Sequence, residues 1–85
     1  MPLYMIERTF AERLEITRED QDRVKAINAE EGVEWLYSFL SLDRKRTYCL
    51  YEAPNPEAIM AAARRAGVPV DAIVEVDELR ADAFS

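Results

Sequence analysis

The sequence contains no histidine, one cysteine (Cys49) and two glycines among 85 residues. It therefore lacks the side chain that proteins use most often for acid–base chemistry near neutral pH and for binding transition metals. A single cysteine cannot form an intramolecular disulfide, which excludes a disulfide-stabilised secreted domain. No apolar run approaches the roughly 18 residues of a transmembrane helix, and no secretory signal opens the chain. These absences predict a cytoplasmic protein.

Basic residues are outnumbered, with 11 Lys and Arg against 17 Asp and Glu, for a net charge of −6. Because this charge repels phosphate groups, we expect neither nucleic acid nor a membrane surface as a partner. No repeat or flexible linker divides the chain, which predicts one domain over residues 1–78 and a C-terminal tail over 79–85. A chain this small buries only about 60% of its unfolded surface. We therefore expect self-association to add to its stability.

Six segments have the pattern of a strand or helix, in the order β-α-β-β-α-β. The strands are predicted from β-branched and aromatic residues at positions 2–10, 33–41, 46–53 and 70–76. Thr17 is the expected cap of a first helix that ends at Gly32, and Asn55 caps a second that ends at Gly67. With right-handed crossovers this order forms a ferredoxin-like α+β plait, a four-stranded antiparallel sheet with two helices on one face.

The hairpin formed by the two central strands predicts which side chains share a face of the sheet. If Leu42 pairs with Lys45 across the turn, one face carries Trp35, Tyr37, Phe39, Tyr48, Leu50 and Glu52. The other face carries the smaller set Leu36, Ser38, Leu40, Thr47, Cys49, Tyr51 and Ala53, which suits the narrow apolar stripes of the helices. The aromatic face is then uncovered, which predicts a homodimer interface containing Trp35, Phe39 and Leu50. The alternative exchanges the two faces, and it still leaves an apolar face that a second copy would cover.

Five polar residues lie among apolar positions and are the predicted ligand-binding residues: Glu7, Asn28, Tyr37, Tyr48 and Glu52. A carboxylate flanked by tyrosines can act as a general base, a metal ligand or an anchor for a ligand amine. In the alternative interpretation, the two glutamates pair with Arg8 or Arg46 and Asn28 bonds a nearby backbone group. No phosphate-binding loop, dinucleotide turn, Cys-x-x-Cys pair or nucleophile elbow is present. We assign no catalytic residue and no metal ligand.

Four segments resemble a family of small bacterial proteins, mostly of unknown function, that is named after a nickel-binding member. They are residues 6–10 (IERTF), 33–36 (VEWL), 47–54 (TYCLYEAP) and 63–69 (ARRAGVP), the third being the most specific. The resemblance implies a ferredoxin-like fold, a dimer and nickel as the cofactor. Many family members carry histidine at the positions of Tyr37 and Ala62, whereas this chain has none.

Two functions follow from these features. The first is a dimeric binding protein for a small molecule or a metal, which the apolar face and the family resemblance favour. The alternative is an enzyme of the dimeric α/β-barrel type, in which a cavity between sheet and helices or between subunits would hold a small substrate. Glu7, Tyr48 and Glu52 would be its reactive groups.

Overall fold

The computed structural model describes residues 1–84 and has the predicted order of elements. Its elements are β1 (Leu3–Thr9), α1 (Arg18–Glu30), β2 (Glu34–Leu40), β3 (Arg46–Glu52), α2 (Pro56–Ala66), β4 (Ala72–Val76) and a 3-10 helix (Ala81–Phe84). The strands form one antiparallel sheet in the order β2-β3-β1-β4. This arrangement confirms the ferredoxin-like α+β fold. The predicted tail over 79–85 contains the 3-10 helix, and its last residue lies outside the described residues.

Both α-helices begin at the residues that the sequence predicts. Thr17 and Asp20 form a capping box, in which the Thr17 side chain accepts from the Asp20 amide and the Asp20 carboxylate accepts from the Thr17 amide, both at 3.1 Å. At α2 the Asn55 side chain accepts from the Ala58 amide at 2.9 Å, and Gly67 ends the helix with a φ of 72°. These capping contacts set the residue at which each helix begins.

The core lies between the helices and one face of the sheet, which we call the covered face. Tyr4 and Ile6 of β1 and Cys49 and Tyr51 of β3 are buried there against Ile59 of α2. Successive residues of a strand point to opposite faces, so the residues between them lie on the uncovered side, which we call the open face. None of the helices among residues 1–84 has the length and apolar character needed to cross a membrane.

A bulge in β2 changes the face of one predicted residue. From Tyr37 to Leu40 the pairing with β3 is the predicted one, with Tyr37 opposite Leu50. Trp35, however, lies opposite Tyr51, so Leu36 is an extra residue in the strand. The prediction that Trp35 lies on the open face is therefore wrong, because the bulge turns its side chain towards the core. Leu36, predicted to be covered, is 38% exposed.

Candidate functional site

The open face carries an exposed aromatic patch. Phe39 is 60% exposed, Tyr37 is 52% exposed and Val74 of β4 is 54% exposed. The rings of Tyr37 and Phe39 pack edge to face with their centres 5.6 Å apart. Leu50 lies between them and β1 but is only 9% exposed, so it has little surface left to offer a partner. Of the three predicted interface residues, Phe39 has the most suitable position.

Two of the predicted ligand-binding residues are neighbours on the open face. Glu7 lies opposite Tyr48 in the β1–β3 pairing, and its carboxylate is 3.2 Å from the Arg46 guanidinium. The Tyr48 hydroxyl and then the Glu7 carboxylate raise the pKa of Arg46. This ion pair agrees with the alternative interpretation, in which Glu7 pairs with an arginine. Both of its side chains are more than a third exposed, which gives the pair little effect on stability.

The remaining predicted residues do not join this pair. Glu52 lies four residues from Tyr48 along β3, roughly 13 Å away at the usual rise of a strand. Asn28 lies within α1 and is 3% exposed, and its side-chain nitrogen has no hydrogen-bond partner among the described residues. Its backbone carbonyl accepts from the amides of Glu31 and Val33, which closes the end of the helix. The five residues therefore do not form one site.

A cavity of about 90 Å³ lies on the covered face, beneath α1 and the connection between β1 and α1. We call it the α1 cavity. Its walls are mainly apolar, and they consist of Arg8, Phe10, Leu14, Ile16, Val24, Trp35, Thr47, Cys49, Tyr51 and Val68. None of the three reactive groups of the enzyme hypothesis, Glu7, Tyr48 and Glu52, lines this cavity.

The connection over the cavity is held by the β2–β3 turn. The amide of Phe10 donates to the Lys45 carbonyl at 2.7 Å, and the amide of Leu14 donates to the Arg44 carbonyl at 2.7 Å. In return, Nε of Arg44 donates to the Leu14 carbonyl at 3.1 Å. These bonds place Phe10 and Leu14 above the sheet as the wall of the cavity.

Arg8 is a buried cation at the wall of the α1 cavity. It is 5% exposed, and its Nη1 donates to the Pro69 carbonyl at 2.7 Å while its Nη2 donates to the Tyr51 hydroxyl at 3.2 Å. Both acceptors are neutral. No carboxylate within residues 1–84 lies within ion-pair distance of Arg8. A buried charge is costly unless it is paired, which makes this arginine unusual.

Thr47 lies beside Arg8 in the β1–β3 pairing and adds a second unusual group. Its side chain is buried, and its hydroxyl oxygen has no hydrogen-bond partner among the described residues. The sequence contained a signal for Arg8, which follows Tyr4 and Ile6 at the alternate positions of β1 that face the core. Glu7, the predicted ligand-binding residue next to Arg8 in β1, points to the opposite face of the sheet.

The structure offers no metal centre in the part of the chain that it describes. Within residues 1–84, no three side chains of the types Cys, Asp and Glu are grouped so that they could hold a metal ion. Cys49 is a free thiol, 5% exposed, in the core. Its surroundings are those of a packing residue.

Comparisons with known proteins agree with the fold. A search of curated proteins finds no match. The crystal structure of SCO4226 from Streptomyces coelicolor A3(2) superposes with a TM-score of 0.75 and 24% identity, covering 92% of this chain and 99% of that one. A family model described as nickel responsive protein SCO4226-like matches residues 4–76. Because this match spans most of the chain, the protein belongs to the SCO4226-like family.

Proposed function

We propose that the protein is a small cytoplasmic binding protein that forms a homodimer through its open face and holds a small organic molecule in the α1 cavity. The observation that carries the ligand-binding role is the buried Arg8, which no acid neutralises among residues 1–84. Uncompensated charges next to a cavity are a common property of ligand sites. The single free thiol, Cys49, agrees with a reducing compartment.

The exposed aromatic patch supports the homodimer. Tyr37 and Phe39 on the edge strand β2 and Val74 on the opposite edge strand β4 present apolar surface on the open face, where a monomer would leave it in contact with water. Burying a side chain of this size contributes about 1.5–3 kcal/mol. The same face on a second copy supplies a matching apolar surface, since a twofold axis brings identical patches together.

Nickel, which the family's description names, does not fit the donor set of this chain. Nickel(II) is bound well by imidazole nitrogen, and the sequence has no histidine. The single thiol is buried, and the carboxylates of residues 1–84 form no group of three with one another or with Cys49. We therefore propose that the ligand is organic.

The charges of the chain argue against a nucleic-acid or membrane partner. The net charge is −6, and a basic residue of α2, Arg65, forms ion pairs with Glu30 at 2.9 Å and Glu31 at 3.5 Å. An arginine paired in this way contributes little attraction for phosphates. We propose a second copy and a small molecule as the only partners.

Sedimentation tests the homodimer. We expect the protein at micromolar concentration to sediment as a species of about twice the 9.8 kDa chain mass. Phe39→Asp places a charge in the aromatic patch and is expected to give a monomer. Leu42→Asp makes the same change at a fully exposed position in the turn and should leave the dimer intact. A parent that sediments at the mass of one chain would overturn this part of the proposal.

Thermal shift tests the choice of an organic ligand over a metal. Nickel(II), added in excess to protein free of chelators and affinity tags, is expected to leave the melting temperature unchanged. A rise of several degrees would restore nickel as the ligand, because binding to the native state alone stabilises it.

A further inference from the structure

We infer that the α1 cavity binds the carboxylate of a small organic acid. In this arrangement the carboxylate accepts hydrogen bonds from the Arg8 guanidinium and the Thr47 hydroxyl, and the apolar part of the acid lies against Phe10, Leu14 and Ile16. The inference rests on the ligand-binding role proposed above and names the chemical class of its ligand.

Arg8 has N–H donors that the described contacts leave unused. A guanidinium carries five N–H donors, and the described contacts use one for the Pro69 carbonyl and one for the Tyr51 hydroxyl. Neither acceptor is charged, so the buried positive charge has no counterion among residues 1–84. A carboxylate would supply that counterion, and its two oxygens match the fork of the guanidinium.

The hydroxyl of Thr47 is a second buried donor beside Arg8. Its residue is 7% exposed, it lines the same cavity, and its Oγ1 has no partner in the described structure. Buried hydroxyls are nearly always hydrogen-bonded in native proteins. As an O–H donor on a residue that lines the same cavity as Arg8, it can donate to the second oxygen of a carboxylate. One ligand group would therefore satisfy both unusual side chains.

The size and lining of the cavity suit a small acid. A volume of about 90 Å³ compares with the roughly 150 Å³ of a cavity that admits benzene, so the space suits a carboxylate with a short chain. The wall around the two polar groups is formed by apolar side chains, among them Leu14 and Val24. Ile16, at 37%, is the most exposed of the side chains that line the cavity. An acid could enter there with its chain against the β1–α1 connection.

A single buried cation also favours a monoanion over phosphate. Phosphate sites usually provide several N–H donors from a loop or helix N-terminus in addition to a cation. Here the lining supplies one arginine and one hydroxyl within an apolar wall. A monocarboxylate leaves no second negative charge to be buried without a partner.

Isothermal titration with butyrate and butyramide is the direct test, since the two compounds have nearly the same shape and differ in charge. Both are titrated into the full chain at constant ionic strength, with inorganic phosphate and chloride as the competing anions. We expect butyrate to bind at least tenfold more tightly than butyramide, because hydrogen bonds to a charged acceptor are stronger. Phosphate and chloride should bind more weakly than butyrate.

Three variants assign the binding to the proposed groups. Thr47→Val keeps the shape of the side chain and removes the hydroxyl, and we expect it to weaken butyrate at least fivefold while leaving butyramide unchanged. Arg8→Met should abolish the preference for butyrate over butyramide. Arg46→Met removes an arginine from the open face and should leave both affinities as they are. If Arg8→Met does not fold, the Thr47→Val result decides.

The outcomes separate this inference from the proposed function. Equal binding of butyrate and butyramide, or tighter binding of phosphate, would overturn the carboxylate class while a ligand-binding cavity remained. Binding of butyrate that Thr47→Val and Arg8→Met leave unchanged would also overturn it, because the site would lie elsewhere. If none of the four compounds binds, both the inference and the proposed ligand-binding role fail, whatever the oligomeric state.

Discussion

Arg8 and Tyr51 contact each other in two ways on the covered face of the sheet. Nη2 of Arg8 donates to the Tyr51 hydroxyl at 3.2 Å, and the guanidinium carbon lies 5.8 Å from the centre of the Tyr51 ring. The ring therefore supports the buried cation by cation–π attraction while its hydroxyl fixes the direction of one N–H. This contact holds the guanidinium at the wall of the α1 cavity.

Removing the Tyr51 hydroxyl should destabilise the fold. Tyr51→Phe keeps the ring but leaves a buried N–H of Arg8 without its acceptor, and we expect a loss of about 1–2 kcal/mol in the free energy of unfolding. Urea denaturation at neutral pH measures it. Tyr37→Phe makes the same change on the open face, where the side chain is 52% exposed, and should alter stability by less than about 0.5 kcal/mol. Equal effects of the two variants would contradict a structural role for the Arg8–Tyr51 contact.

Thr47→Val should stabilise the ligand-free protein. The Thr47 hydroxyl is buried without a partner, and a methyl group of similar size removes a polar group that has lost its contacts with water. We expect a gain of about 1 kcal/mol in the free energy of unfolding. Thr9→Val, at the exposed end of β1, is the matched control and should change stability little. A loss of stability in Thr47→Val would show that the hydroxyl has a partner in solution.

The start and end of the helices and most of the strand register could be predicted because local chemistry determines them. Thr17 and Asn55 cap helices wherever the rest of the chain lies, since their side chains bond amides three residues away. The register of the hairpin follows from the position of its turn. It was predicted correctly from Tyr37 to Leu40, and this stretch placed Phe39 on the open face.

The bulge at Leu36 could not be predicted, because β2 has apolar residues on both of its faces and its alternation therefore does not show which residue is extra. No glycine or charged residue between Trp35 and Phe39 marks a break in the alternation, so the sequence fits an unbroken strand equally well. The indole of Trp35 donates to Ser38 Oγ at 2.8 Å, a contact across the bulge that becomes evident only in three dimensions. For this reason the predicted face of Trp35 was wrong.

The α1 cavity was missed for a different reason. Arg8 alternates with Tyr4 and Ile6, which places it on the covered face from the sequence alone. The connection above it has no periodicity, and its position depends on bonds to the β2–β3 turn such as that from Leu14 to Arg44. A wall made by contacts between distant segments leaves no pattern in the sequence.

The capping box of α1 predicts a dependence of stability on acid pH. Hydrogen bonds from the Thr17 backbone and side chain lower the pKa of Asp20 below its ordinary value of 3.8. A carboxyl whose pKa is lower in the folded state stabilises the protein above the pKa of the unfolded chain, and this contribution is lost as the pH falls through the folded value. We expect the difference in free energy of unfolding between the parent and Asp20→Asn to be constant above pH 5 and to shrink below about pH 4.

Urea titrations at a series of pH values measure this difference. Asp22→Asn makes the same charge change in α1 without touching the capping box and is the control. If both variants gave the same profile, the change would reflect the overall charge of the chain rather than the capping box.

At Arg44, in the β2–β3 turn, we expect a glycine variant to be more stable than an alanine variant, which reverses the order seen inside a helix. Its φ is 63°, a left-handed conformation that costs a residue with a Cβ about 1–2 kcal/mol. Arg44→Ala and Arg44→Gly both remove the bond from Nε to the Leu14 carbonyl, so their difference isolates the backbone. We expect the glycine variant to be more stable than the alanine variant by about 1 kcal/mol in urea denaturation.

At Lys25, an exposed position within α1, the same two substitutions should give the opposite sign, because glycine is about 1 kcal/mol less favourable than alanine inside a helix. An alanine variant at position 44 that equals or exceeds the glycine variant would mean that the turn has a negative φ there, and the connection over the α1 cavity would then need a different anchor.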